Sequence, residues 1–200
     1  MIYELNEEKM KNAETYALVE SGLLEGKRKE EIFRSLGGTD DFARTVAATP
    51  YFEDRIKYAK LNWILVAIIV YFAVMKLAIT TINFIQLGLP IYVFPTILFV
   101  PVVALWIANQ LRKYRGNFYM VTGFFSLAVV FNGLKFENLQ TKDVVFWGII
   151  NLPLLFGAFL AFFLKKRLCP HLGYMGAKTD STGKYMFLTE KTFNQEEAAA

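Results

Sequence analysis

At 200 residues, with 54% hydrophobic side chains, 19 Phe and a formal net charge of +4, the chain is too apolar for a small soluble globule and points to a membrane protein. Lys76 is the only charged residue between positions 61 and 111, and none occurs over 116–134 or 144–164; such runs suit a hydrocarbon core about 30 Å thick. The lone Cys169 cannot close an intramolecular disulfide and no Asn opens a glycosylation sequon, so the soluble parts read as cytosolic.

The N-terminal region has no apolar stretch of the kind a cleavable signal peptide carries, so insertion is expected to be directed by the spans themselves. Over residues 6–24, Met10, Ala13, Ala17 and Leu24 share one helical face with Tyr16 beside it, while Glu7, Glu8, Glu14 and Glu20 project elsewhere, which predicts an amphipathic helix. Gly26 interrupts it. A second short helix over 27–36 turns Ile32, Phe33 and Leu36 inward and stops at Gly37 and Gly38. Thr39 starts a third, with Asp40 and Asp41 in its first turn.

Pro50 disfavours helix at the residue before it and tolerates a helix start, so the third helix is expected to end at Thr49 and another to begin. With Phe52, Ile56 and Ala59 on one side and Arg55, Lys57 and Lys60 exposed, this helix meets no Gly or Pro before Ile82. It is expected to run unbroken into the first span. Four spans follow, at about 61–82, 89–108, 118–134 and 144–164, joined by short loops that favour an antiparallel four-helix bundle. Trp63, Trp106, Tyr119 and Trp147 are expected in interfacial belts.

Orientation follows from the bases near the span ends. Arg55, Lys57 and Lys60 precede span one; Arg112, Lys113 and Arg115 separate spans two and three; Lys165, Lys166 and Arg167 follow span four. The other two loops are weakly basic at most. That alternation places both termini on the cytoplasmic side of the cell membrane. The fold class is therefore an all-α membrane protein: a four-helix transmembrane bundle (50–167), a small N-terminal cytosolic helical domain (1–49) and a C-terminal tail (168–200). Leu172, Tyr174 and Met175, then a turn-rich 179–183, then Tyr185 to Leu188 predict a small β-hairpin in that tail.

Within the spans, Lys76 carries the most information, because an ionised group in hydrocarbon needs pairing, hydration or reach to the interface. It shares a helical face with Thr80 and Asn83, and with Asn132 and Asn151 these form the candidate intramembrane polar site. Against a ligand role stands snorkelling, since roughly 12 Å of helix separates Lys76 from the outer boundary and a lysine stem covers part of that. Pro90, Pro95 and Pro101 predict a kinked or locally unwound second span. Asn151 precedes Pro153, whose missing N–H leaves carbonyls for an amide to satisfy. Thr122 with Ser126, and Gly157 with Ala161, read as helix–helix packing features.

Catalytic groupings are scarce. Cys169-Pro170-His171 offers two metal ligands at most and no oriented nucleophile pair, so no catalytic, metal or cofactor-binding residue is expected. Residues 1–60 hold twelve acids against ten bases, a net −2, which disfavours nucleic acid. The expected partners are the lipid bilayer and a protein, or a second copy of the chain, and the expected role is non-enzymatic interaction, sensing or assembly through the cytosolic helices. The alternative is a small oligomeric transporter or channel using Lys76 and the proline-broken span.

Overall fold

The structure is a computed structural model that describes residues 2–88, 94–132, 141–174 and 176–188. Among them the regular elements are all helices, and the chain divides into two compact units, Met1–Asp54 with Leu168–Ala200, and Arg55–Arg167.

In the first unit, α1 (Ile2–Leu24), α2 (Lys29–Ser35) and α3 (Asp40–Ala48) surround a small core. The buried stripe of α1 is Thr15, Val19, Gly22 and Leu23, whereas Ala13, Ala17 and Leu24 are exposed; this corrects the predicted face. The cause is Gly22. A Cβ there would stand 2.9 Å from Ile32 Cγ1, so the missing side chain makes the seat for α2 and turns α1 toward it. Helix α2 buries Ile32 and Phe33 as its pattern predicts. It starts with the Arg28 N–H donating to Glu31 Oε2 at 3.2 Å and ends at Gly37 and Gly38, both at positive φ, where the Gly38 N–H reaches Phe33 O at 3.0 Å. Thr49, ahead of Pro50, is extended at φ −93° and ψ 115°, so α3 stops where the proline requires.

The tail is part of this core. Cys169, His171, Leu172 and Phe187 are buried, and the Cys169 thiol donates to Ala48 O at 3.3 Å, where the run of small residues in α3 lets it approach. Tyr185 and Phe187 stack with centroids 5.5 Å apart, and both meet Phe33 edge-on, at 5.6 and 5.4 Å. The Tyr185 hydroxyl donates to the Asp40 carboxylate, and that bond raises the phenol above its ordinary pKa. The buried ammonium of Lys29 lies 4.8 Å from the Tyr51 ring centroid.

The predicted hairpin does not form strands. Two isolated antiparallel bridges, Leu172 with Ala177 and Thr179 with Tyr185, lead into a 3-10 turn at Met186–Leu188. The reason is Asp180, whose Oδ1 takes the N–H groups of Thr182 at 2.8 Å and Lys184 at 3.0 Å and the Thr182 hydroxyl at 2.7 Å, claiming donors that a longer ladder would need. The bond from the Thr182 side chain, then that from its backbone, holds the Asp180 carboxyl below its ordinary pKa of 3.8. A depressed acid stabilises above its unfolded pKa and loses that contribution as pH falls through the folded value. The turn is therefore expected to be protected at pH 5 and to lose that protection as acid protonates the carboxylate below its ordinary range, read as smaller protection factors, relative to unstructured amides at the same pH, at Thr182 and Lys184. Unchanged protection factors between pH 5 and pH 2 would show that the carboxylate does not hold the turn.

Helix α4 (Phe52–Lys57) crosses the division between the units, and the second unit contains α5 (Ala59–Leu87), α6 (Phe94–Arg112), α7 (Gly116–Asn132) and α8 (Thr141–Leu168). The expected unbroken helix from Pro50 is interrupted at Tyr58, with φ −103° and ψ 10°. Helix α4 buries no residue, so packing gives it no reason to continue the axis of α5, and the Tyr58 ring turns to meet Phe163 edge-on at 6.3 Å. Among the described residues, two helical segments are long and apolar enough to cross a membrane, Ala59–Gln86 and Gly148–Leu168. The apolar segments Leu98–Arg112 and Gly116–Asn132 are shorter, the latter about 25 Å long at 1.5 Å per residue.

Helix α6 is continuous through Pro101, with Pro95 in its first turn; Pro90, Met175 and positions 133–140 and 189–200 lie outside the described residues. Small residues set the helix spacing. A Cβ on Gly157 would stand 3.0 Å from Ile68 Cγ2, and one on Gly123 2.6 Å from Phe162 Cζ. Leu65, Ile69, Phe72, Ile107, Leu111, Leu154, Ala161 and Leu164 fill the interior.

Candidate functional site

The predicted polar residues do not share one environment. Lys76 is half-buried on α5, and the Thr80 hydroxyl donates to its backbone carbonyl at 2.7 Å, so that threonine is satisfied along its own helix. Asn83 lies on the same helix. Asn132 is exposed at the end of α7, whereas Asn151 is buried on α8. One residue faces outward and the other inward.

The carbonyl that Pro153 frees has a donor on another helix. Proline at 153 leaves the carbonyl four residues earlier, Ile149 O, without its helical donor, and the Tyr71 hydroxyl of α5 donates to that oxygen at 3.3 Å. The helix break thereby becomes a cross-link between α5 and α8. Tyr71→Phe is expected to destabilise the unit by about 0.5–1.5 kcal/mol. In a Pro153→Ala background, where the backbone N–H restored at position 153 can bond Ile149 O again, the loss should be much smaller. Equal losses in both backgrounds, measured by thermal unfolding in detergent, would show that the hydroxyl and the proline are uncoupled.

One buried polar cluster among the described residues was not among the sequence candidates. Asn62, near the start of α5, donates from Nδ2 to Leu111 O at 3.1 Å and accepts at Oδ1 from the Tyr119 hydroxyl at 2.7 Å. All three residues are buried. Tyr119 is therefore the internal hub of the unit, a correction to its expected place in an interfacial belt, while Trp63 and Trp106 are exposed. From Tyr119 a buried polar stripe continues along α7 through Thr122, whose hydroxyl donates to Phe118 O at 2.6 Å, to Ser126.

This cluster fixes which helix ends meet. Asn62 brings the end of α6 and the start of α7 to the start of α5, and the Tyr58–Phe163 contact brings the end of α8 there. Arg55, Lys57, Lys60, Arg112, Lys113, Arg115, Lys165, Lys166 and Arg167 consequently gather at one end of the unit. Aromatic rings support several of them: the Arg55 guanidinium lies 5.7 Å from the Tyr114 centroid, Lys57 5.6 Å from Tyr58, and Arg167 5.7 Å from Phe163. Tyr114 itself sits at φ 53°, a left-handed position that glycine usually takes at a helix end. Here the Arg115 N–H returns to Gln110 O at 3.3 Å and the Tyr114 N–H to Leu111 O at 2.9 Å, which stops α6 and presents the basic turn.

Chemically the arrangement offers hydrogen-bonded packing and a cationic rim. Among the described residues no three His, Cys, Asp or Glu side chains converge on a metal-sized site. Cys169 and His171 belong to the core of the first unit. Asn62 escapes a reading of the sequence because it lies at the edge of its span, and Tyr71 because a mid-span tyrosine reads as apolar; a tyrosine opposite a mid-helix proline is the signal that finds the second. No family model matches the chain, and no curated protein or solved structure is significantly similar to it.

Proposed function

We propose that this is a multi-pass protein of the cell membrane with four spans and both ends cytoplasmic, which acts without catalysis through protein recognition by the unit built from its two ends. The observation that carries this reading is that both ends contribute to one core: Phe33 of α2 packs against Tyr185 and Phe187 of the tail. Segments sharing a core must lie on one side of a bilayer, which requires an even number of crossings. The nine bases at one end of the helical unit suit the cytoplasmic side. The buried Leu111 carbonyl is answered by the unit's own Asn62, which favours a packed bundle over a hydrated route. Leu18 and Leu24 stand 56% and 61% exposed on α1, and large apolar side chains left outside a core of this size suit contact with a protein.

Cysteines at Ser21 and Gln86, both exposed, in a background lacking Cys169 test the topology: an impermeant external reagent should label Gln86→Cys and spare Ser21→Cys. Photo-crosslinking groups at Leu18 and Leu24 in intact membranes should give one discrete adduct that is absent with the same group at exposed Thr182. The reading fails if no adduct forms there while the reconstituted protein carries a solute flux that Lys76→Leu abolishes. That outcome would make it a transporter.

A further inference from the structure

A groove of about 560 Å³ runs between α7 and α8, lined by Leu127, Leu152, Leu155, Phe156, Ala158, Phe159 and Phe162. Its wall is wholly apolar. The size lies in the range of small-molecule sites, which span about 300–1,000 Å³, yet such sites carry polar groups to orient their ligand and this one has none along its length.

Polarity appears at one end. Leu155, Phe159 and Phe162 fall on one stripe of α8 at helical spacing, and the next position on that stripe is Lys166, exposed and followed by Arg167. From Leu152 to Phe162 is ten residues, about 15 Å at 1.5 Å per residue, which is half of a hydrocarbon core about 30 Å thick. The groove is thus as deep as one leaflet, and its basic end is the end at which the unit's other bases collect. Phe162 closes the groove floor by packing on Gly123 and edge-on to Phe124 at 5.4 Å.

We infer that this groove binds one acyl chain of a phospholipid with an anionic headgroup, the headgroup lying against Lys166. Apolar length without polar anchors fits a hydrocarbon chain. The base at the inner end supplies the charge complement, and attraction of an anionic lipid to a basic side chain at the membrane surface is worth about 1 kcal/mol per base. This inference rests on the membrane reading above.

The test uses the full chain in lipid nanodiscs of phosphatidylcholine containing phosphatidylglycerol with a photoreactive group in its acyl chain. Adducts are expected on peptides covering Leu127 and positions 152–162, in excess over those on the exposed residues of α5. Lys166→Ala, at an exposed position, should lower that labelling about fivefold, the equivalent of about 1 kcal/mol. Ala158→Phe, which fills the groove, should abolish it; because Ala158 is buried, Leu152→Trp at the exposed mouth serves as a second blocking variant. Uniform labelling around the helices, or equal labelling with a photoreactive phosphatidylcholine, overturns the inference and leaves only bulk lipid. Disulfide cross-linking of two chains through Phe159→Cys overturns it in favour of a second copy. Extraction of the protein from membranes by alkaline carbonate would instead sink the membrane reading itself, so the two failures are separable.

Discussion

Phe33→Ala is expected to release the C-terminal tail and to cost the first unit about 3–5 kcal/mol, the range for removing a buried Phe. Phe33 is 5% exposed and is the ring that both Tyr185 and Phe187 meet edge-on. Its loss opens a cavity and also removes the surface on which the tail is folded. The tail contributes few other large buried side chains, so the structure has little with which to close the gap. Hydrogen exchange should show lost protection at Leu172, Lys178 and Met186, whose N–H groups bond within the tail, and limited proteolysis should cut between the helical unit and the C-terminus. Leu24→Ala, at a 61% exposed position, is the control and should stay within about 0.5 kcal/mol. If the tail kept its protection in Phe33→Ala, the three-ring cluster would not be what holds the two ends together.

The second large effect is expected at the base of the helical unit. Asn62→Ala removes two hydrogen bonds and strands the Tyr119 hydroxyl in the interior, a loss of about 2–3 kcal/mol when a buried partner is left unsatisfied. Tyr119→Phe leaves only Asn62 Oδ1 without its donor, and about 1 kcal/mol is expected, the net worth of a typical intramolecular hydrogen bond. The two changes are coupled. Asn62→Leu combined with Tyr119→Phe replaces both partners by apolar groups of similar size, so the double variant should be more stable than Asn62→Leu alone. Unfolding midpoints in detergent decide this, and strictly additive losses would mean that the two side chains do not act as a pair.

Both effects involve residues whose importance pattern alone does not reveal. Phe33 is legible as a core residue, because Ile32, Phe33 and the glycine stop at 37–38 describe a short amphipathic helix. What it packs against is not, since the ring partners are more than 150 positions away and contact at that separation leaves no local signature. The same distance explains the tail: Tyr185 to Leu188 looks like strand because its composition is aromatic and apolar, yet burial against Phe33 supplies the stabilisation that a ladder otherwise would. The face of α1 is hidden for a related reason. Periodicity shows that a stripe exists, but choosing between two stripes with several alanines needs the position of Ile32, and the absence of a side chain at Gly22 decides it.

By itself the sequence determined the helical character, the placement of the apolar runs and their charged ends, because uncharged length and the spacing of bases are local properties of the chain. It also determined where helices stop, at Gly37 and Pro50, since backbone sterics act within a few residues. Only the tertiary structure decided that Tyr58 breaks the long helix, that Tyr119 turns inward to Asn62, and that Tyr71 answers the carbonyl freed by Pro153. Each of those is a hydrogen bond or ring contact between separate helices, and its strength depends on which surfaces meet once the helices pack.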